Sequence, residues 1–128
     1  MNYYLSTQLS LPFDAAIAAT TAALKVEGFG VLTDIDVTAT LKQKLGVDFR
    51  RYRILGACNP PFAHRALELE DKVGLMLPCN VIVQELAAGG VEVAAIDPVA
   101  SMQAVQNDNL ATIATEIRGR LKAAIEAL

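Results

Sequence analysis

Hydrophobic and polar positions change period several times along this chain. In "NYYLSTQLS" the pattern alternates: Tyr3, Leu5, Thr7 and Leu9 point one way, Tyr4, Ser6 and Gln8 the other. Such alternation predicts a half-buried strand. "SLPFDAAIAATTAALKVEG" then switches to helical spacing, with Phe13, Ile17, Thr20 or Thr21, and Leu24 on one side. Ser10 is placed to cap this helix, Pro12 fits its first turn, and Gly28 suits the left-handed position that ends it. "GVLTDIDV" predicts a second strand, followed by a short helix capped by Thr38, carrying Leu41 and Leu45 and closed by Gly46.

"RYRILGA" predicts the third strand. Asn59 is a good N-cap and Pro60 a good first helical residue, so a helix from Pro60 to about Leu69 should bury Phe62, Ala66 and Leu69. In "NVIVQELAAGGVEVAAID" two β-rich runs flank "AAGG", a hairpin with glycine where φ must be positive; Pro98 ends its second strand. Asn107 or Asp108 then caps a long helix whose stripe is Leu110, Ile113, Ile117, Leu121, Ile125 and Leu128. No repeat or linker interrupts this order, so residues 1–128 are expected to form a single α+β domain. Its sheet should be mostly antiparallel and covered on one face by the two long helices.

The other face is the more telling one. If Tyr3, Val31, Ile54, Val81 or Val83, and Val93 face the helices, then Tyr4, Leu32, Leu55, Ile82 and Ile96 face away. Either parity leaves the second face too apolar for full solvation, so a partner chain or a ligand should cover it. The simplest expectation is a homo-oligomer, a two-fold dimer.

Composition narrows the function classes. The chain has 128 residues, 53% hydrophobic and 20% charged, with net charge -3. One domain of this length can bury a core without disulfides. The densest basic cluster, Lys42, Lys44, Arg50, Arg51 and Arg53, is interleaved with Asp34, Asp36 and Asp48, so no nucleic-acid footprint is expected. "MNYYLSTQLS" does not read as a signal peptide, and the apolar runs are too short to span a bilayer. The expected compartment is the cytoplasm, without membrane partners, where two cysteines are normally reduced.

"IDV" (Ile35 to Val37), "LKQKLGVDF" (Leu41 to Phe49), "YRILGACNP" (Tyr52 to Pro60), "LMLPCNVIV" (Leu75 to Val83) and "DP" (Asp97, Pro98) together resemble the family catalogued as domain of unknown function 302. The resemblance implies a strand-helix-four strands-helix fold of the TATA-binding-protein-like class. It supplies no agreed activity or catalytic residues, so function has to be argued from the residues.

The chemistry worth weighing lies in "GACNPPFAH" and "LPCN", two Cys-Asn pairs near the chain's one histidine. Antiparallel strands three and four would bring Cys58 and Cys79 to the same end of the sheet. Cys58 directly precedes a helix N-terminus, which favours a thiolate, and Arg53 and Arg65 would add to this if they approach. The candidate pocket is therefore Arg53, Cys58, Asn59, His64, Cys79 and Asn80. It fits a small-molecule or soft-metal binding module, the cofactor remaining open, although the spacing matches no established metal signature. Two other readings stand beside it. One is a thiol-redox pair in which Cys58 attacks and Cys79 resolves. The other is a structural or interaction module acting through the apolar outer face, with the cysteines as core and Asn59 as a cap. Asp34 and Asp36, two apart on one strand, could hold a hard cation but more simply mark a solvated strand end. With one histidine and no nucleophile elbow, acid–base catalysis is not expected.

Overall fold

The computed structural model describes residues 2–128. Strand β1 (Tyr4–Leu9) leads into helix α1 (Phe13–Val26). The N-cap of α1 is Pro12 and not Ser10; its extended ψ of 152° turns the chain, and its carbonyl accepts from the Ala16 amide at 2.9 Å. Gly28, at φ 87°, reverses the chain into β2 (Gly30–Asp36). Helix α2 (Val37–Leu45) follows directly. Its cap is Asp36, whose carboxylate accepts from the Ala39 amide at 3.0 Å. Thr38, the expected cap, lies inside the helix and its hydroxyl instead donates to the Arg50 carbonyl at 2.7 Å. The carboxylate out-competes the hydroxyl because a charged acceptor makes the stronger cap bond. Gly46 closes α2 at φ 67°.

Strand β3 (Tyr52–Cys58) runs into α3 (Pro60–Leu69), with Asn59 at the N-cap position and Pro60 first, although the Asn59 side chain makes no cap hydrogen bond to the helix. Phe62 and Ala66 are buried there as expected, whereas Leu69, in the last turn, remains 39% exposed. A 3-10 turn over Asp71–Met76 leads to the hairpin β4 (Cys79–Glu85) and β5 (Val91–Ile96), with Gly89 and Gly90 both at positive φ. Asp97 caps the short α4 (Pro98–Ser101), and Asn107 caps the long α5 (Asp108–Glu126). No helix among the described residues is long and apolar enough to cross a membrane.

The five strands form one sheet in the order β1-β5-β4-β3-β2, antiparallel at every pair. Helices α1 and α5 cover one face. Their Phe13, Leu24, Ile113, Ile117 and Leu121 pack on Leu55, Val81, Val83, Val93 and Ala95 in the main core. A smaller cluster, Ala66, Val73, Met102, Leu110 and Ala114, fills the space beneath α3 and the 3-10 turn.

The expected face assignment holds for β4 and β5 and is reversed in β3. Leu55 is 1% exposed and belongs to the helix-covered core, so its neighbour Ile54 faces away. Tyr3 precedes the first strand and is exposed, and Leu32 sits at a register irregularity between Val31 and Thr33. The cause of the reversal is legible: two adjacent apolar residues give β3 no alternation to fix its phase, and pairing with Val81 fixes it instead.

Candidate functional site

Pairing of β3 with β4 sets Ala57 opposite Cys79 and Gly56 opposite Asn80. Cys58, Asn59, Cys79 and Asn80 thus gather at one end of the sheet. Alternation sends their side chains apart, however. Cys79 shares the covered face with Ala57 and is 5% exposed, while Cys58, one residue beyond Ala57, points to the other side and is half-buried. Both are free thiols. Burial pushes the Cys79 thiol up to about 11, and nearby Cys58 adds to the rise. A buried neutral thiol is a poor nucleophile at neutral pH.

Asn59 serves as a strut. It is 8% exposed, and its Nδ2 donates to the Glu27 carbonyl at 3.4 Å, tying the start of α3 to the end of α1. A Cβ on Gly28 would stand 2.9 Å from that same Nδ2, so this corner needs glycine on two counts. The other two candidates lie elsewhere. His64 is on the solvent side of α3, its Nε2 2.8 Å from Glu68 Oε1 one turn on. Arg53 shares the covered face with Leu55 and engages Asp34 with two nitrogens, its Nε donating to Oδ1 at 2.7 Å. That hydrogen bond, opposed by some burial, holds the Asp34 carboxyl below its ordinary value. Asp36 is occupied as the α2 cap. Arg65 pairs with Glu116 at 3.7 Å and stacks on Phe62. Among the described residues no group of three or more His, Cys, Asp or Glu side chains is placed to hold a metal ion.

A different feature occupies the open face of the sheet. A shallow trough of about 400 Å³ runs across β3, β4, β5 and β1, lined by Tyr4, Tyr52, Asn80, Ile82, Gln84 and Ile96 among others. Its floor is apolar: Ile82 lies between Ile54 and Ala94, and Ile96 beside Tyr4. One rim is polar and ordered. Arg50 Nε donates to Gln84 Oε1 at 2.9 Å, and Gln84 Nε2 donates to Glu92 Oε1 at 2.8 Å. The Arg50 guanidinium stacks over Phe49 at 4.4 Å and Tyr52 at 5.5 Å. At the Cys-Asn end, Thr33 and Pro78 close over Gly56, where an added Cβ would meet Thr33 Oγ1 at 2.1 Å and Pro78 Cγ at 2.8 Å. Such a surface can bury apolar area while a charged rim fixes orientation.

Of the six sequence candidates, only Asn80 lines this trough. Arg50, Tyr52, Gln84 and Glu92 were missed. Part of the signal was present: a hairpin closed by Gly89 and Gly90 pairs Gln84 with Glu92, on the same side as Ile82.

Together these features define an α+β domain with one buried and one open sheet face. The chain belongs to the family described as Domain of unknown function DUF302, whose model matches residues 5–128. It is similar in structure to an uncharacterized conserved protein DUF302 from Bacillus stearothermophilus, with 32% identity, a TM-score of 0.90, and coverage of 97% of this chain and 96% of that one. Comparison with curated proteins finds no match.

Proposed function

We propose that this chain is a non-catalytic binding domain whose working surface is the open face of the sheet. The observation that carries the reading is the apolar floor around Ile82, edged by the ordered Arg50–Gln84–Glu92 string. A face left for solvent alone would place polar side chains at Ile54, Ile82 and Ile96. The thiol readings draw less support. Cys79 is buried with a raised pKa, Cys58 points to the opposite face, and His64 is engaged by Glu68. The cysteines serve the sheet end as small apolar residues.

The test is hydroxyl-radical footprinting of side chains in cell extract at native abundance and in dilute purified protein. Tyr4 and Tyr52 should be protected in extract and labelled in dilution, while solvent-facing residues of α1 and α5 label equally in both. Equal labelling of Tyr4 and Tyr52 in the two samples would overturn the reading.

A further inference from the structure

Resting on the open face as the working surface, we infer that its trough takes a free α-amino acid with a large apolar side chain, held by its carboxylate on Arg50 and its ammonium on Glu92. Three side chains stand in a row at one end of the trough. Arg50 Nε donates to Gln84 Oε1 at 2.9 Å, and Gln84 Nε2 donates to Glu92 Oε1 at 2.8 Å. This row uses one nitrogen of the guanidinium and one oxygen of the carboxylate. Among the described residues the two terminal nitrogens of Arg50 and the second oxygen of Glu92 have no hydrogen-bond or ion-pair partner.

Gln84 indicates what chemistry fits beside it. Its amide offers an oxygen to the cation and an N–H to the anion. A carboxylate and an ammonium on one carbon repeat that order of acceptor and donor, and carry full charges that make the stronger hydrogen bonds. Charge disfavours simpler ligands. An anion alone would sit one amide width from the Glu92 carboxylate, and a cation alone would face Arg50 just as closely. A dipolar ligand of no net charge satisfies both. Arg50 is also preorganised, because its guanidinium stacks over Phe49 at 4.4 Å and Tyr52 at 5.5 Å while Gln84 holds Nε. A planar fork fixed in this way loses little further freedom when a carboxylate docks.

The rest of the trough suits the side chain. Next to Gln84 and Glu92 come Ile82 and Ala94, paired across β4 and β5, where the small alanine leaves depth. Asn80 and Tyr4 bound the far end. From Gln84 to Asn80 is about 13 Å of strand. A head group at Arg50 and Glu92 therefore leaves room for an aromatic or long aliphatic side chain and not for a long peptide. The volume of about 400 Å³ lies at the small end of ligand sites.

L-phenylalanine is the probe, titrated into dilute purified protein and followed by calorimetry and by backbone amide chemical shifts. It should bind saturably, with shifts centred on Ile82, Gln84, Glu92 and Ala94. Three related compounds sort the contacts: phenylalaninamide lacks the carboxylate, N-acetylphenylalanine lacks the ammonium, and glycine lacks the side chain. Each should bind at least about tenfold more weakly, the effect of losing a charge-assisted hydrogen bond or a buried ring. Arg50→Gln should weaken phenylalanine about tenfold without weakening phenylalaninamide, which has no carboxylate to lose. Glu92→Gln should likewise weaken phenylalanine without weakening N-acetylphenylalanine. Equal binding of phenylalanine and its two blocked forms would overturn the paired-charge site. Neither heat nor shift with phenylalanine at about 10 mM, beyond the weak end of specific affinity, would overturn the amino acid as occupant. Protected Tyr4 and Tyr52 in extract would then still uphold the open face as working surface, and their exposure in extract would sink both.

Discussion

The two faces of this sheet are built from alternate residues of the same strands, and they differ in kind. On the covered face Val81, Val83, Val93 and Ala95 are fully excluded from water beneath α1 and α5. On the open face Ile54, Ile82, Ala94 and Ile96 keep part of their surface in solvent and share it with Arg50, Gln84 and Glu92. The covered face is apolar throughout its centre and carries the fold. The open face mixes an apolar floor with an ordered charged rim. A one-residue step along β4 therefore moves from the buried core to the face proposed for recognition.

The sharpest way to break this contrast is to cut into each face in turn. Leu121→Ala, in the covered core with no exposed surface, should cost about 2–5 kcal/mol in chemical denaturation, as buried leucine truncations do. Ile82→Ala, measured in dilute purified protein, should cost clearly less, about 1 kcal/mol, because a partly exposed residue leaves no sealed cavity. Equal costs would erase the distinction between the faces.

The cysteine pair offers the next contrast. Above pH 9 an unfolded Cys79 sheds its proton, whereas the folded chain retains it to about 11. Stability fully present below pH 9 is thus lost as pH rises toward 11, by up to about 2–3 kcal/mol for this group. Cys79→Ala should flatten that part of the stability–pH profile, and Cys58→Ser should leave it largely in place. Alkylation with intact-mass readout should likewise modify Cys58 well before Cys79.

Gly56→Ala is expected to cost about 1–3 kcal/mol, since the new methyl must displace Thr33 or the Pro78 ring. Retained stability would mean that this closure over the open face is loose. The smallest effect belongs to Asp34→Asn. The Asp34 carboxyl is held low by Arg53, so the pair stabilises above the ordinary carboxylate value and loses that contribution as pH falls through the lowered one. Because both partners are partly exposed, the loss at neutral pH should stay below about 1 kcal/mol and vanish in acid.

Most of the fold was legible in the sequence because period, caps and glycines agree locally. The Phe13–Leu24 helix, the hairpin closed by Gly89 and Gly90 and the Leu110–Ile125 stripe all fall where the pattern places them. Helix starts were harder. Asp36 and Pro12 took cap positions from Thr38 and Ser10, a competition between neighbours that only backbone geometry decides. The phase of β3 was illegible because Ile54 and Leu55 are adjacent and both apolar. Proximity at the cysteine end was foreseen from antiparallel pairing, but the separation of Cys58 and Cys79 onto opposite faces required the register. Arg50 was hidden in a basic cluster that reads as solvated. Its stacking on Phe49 and Tyr52, and its reach to Gln84 on another strand, are tertiary facts.

The most direct test of the open face as working surface is hydroxyl-radical footprinting of Ile82→Glu beside the unaltered protein, each in cell extract and in dilution. The account predicts Tyr4 and Tyr52 protected in extract in the unaltered chain and exposed in the variant, with the two melting alike when dilute. Equal labelling of Tyr4 and Tyr52 in the two proteins would contradict it.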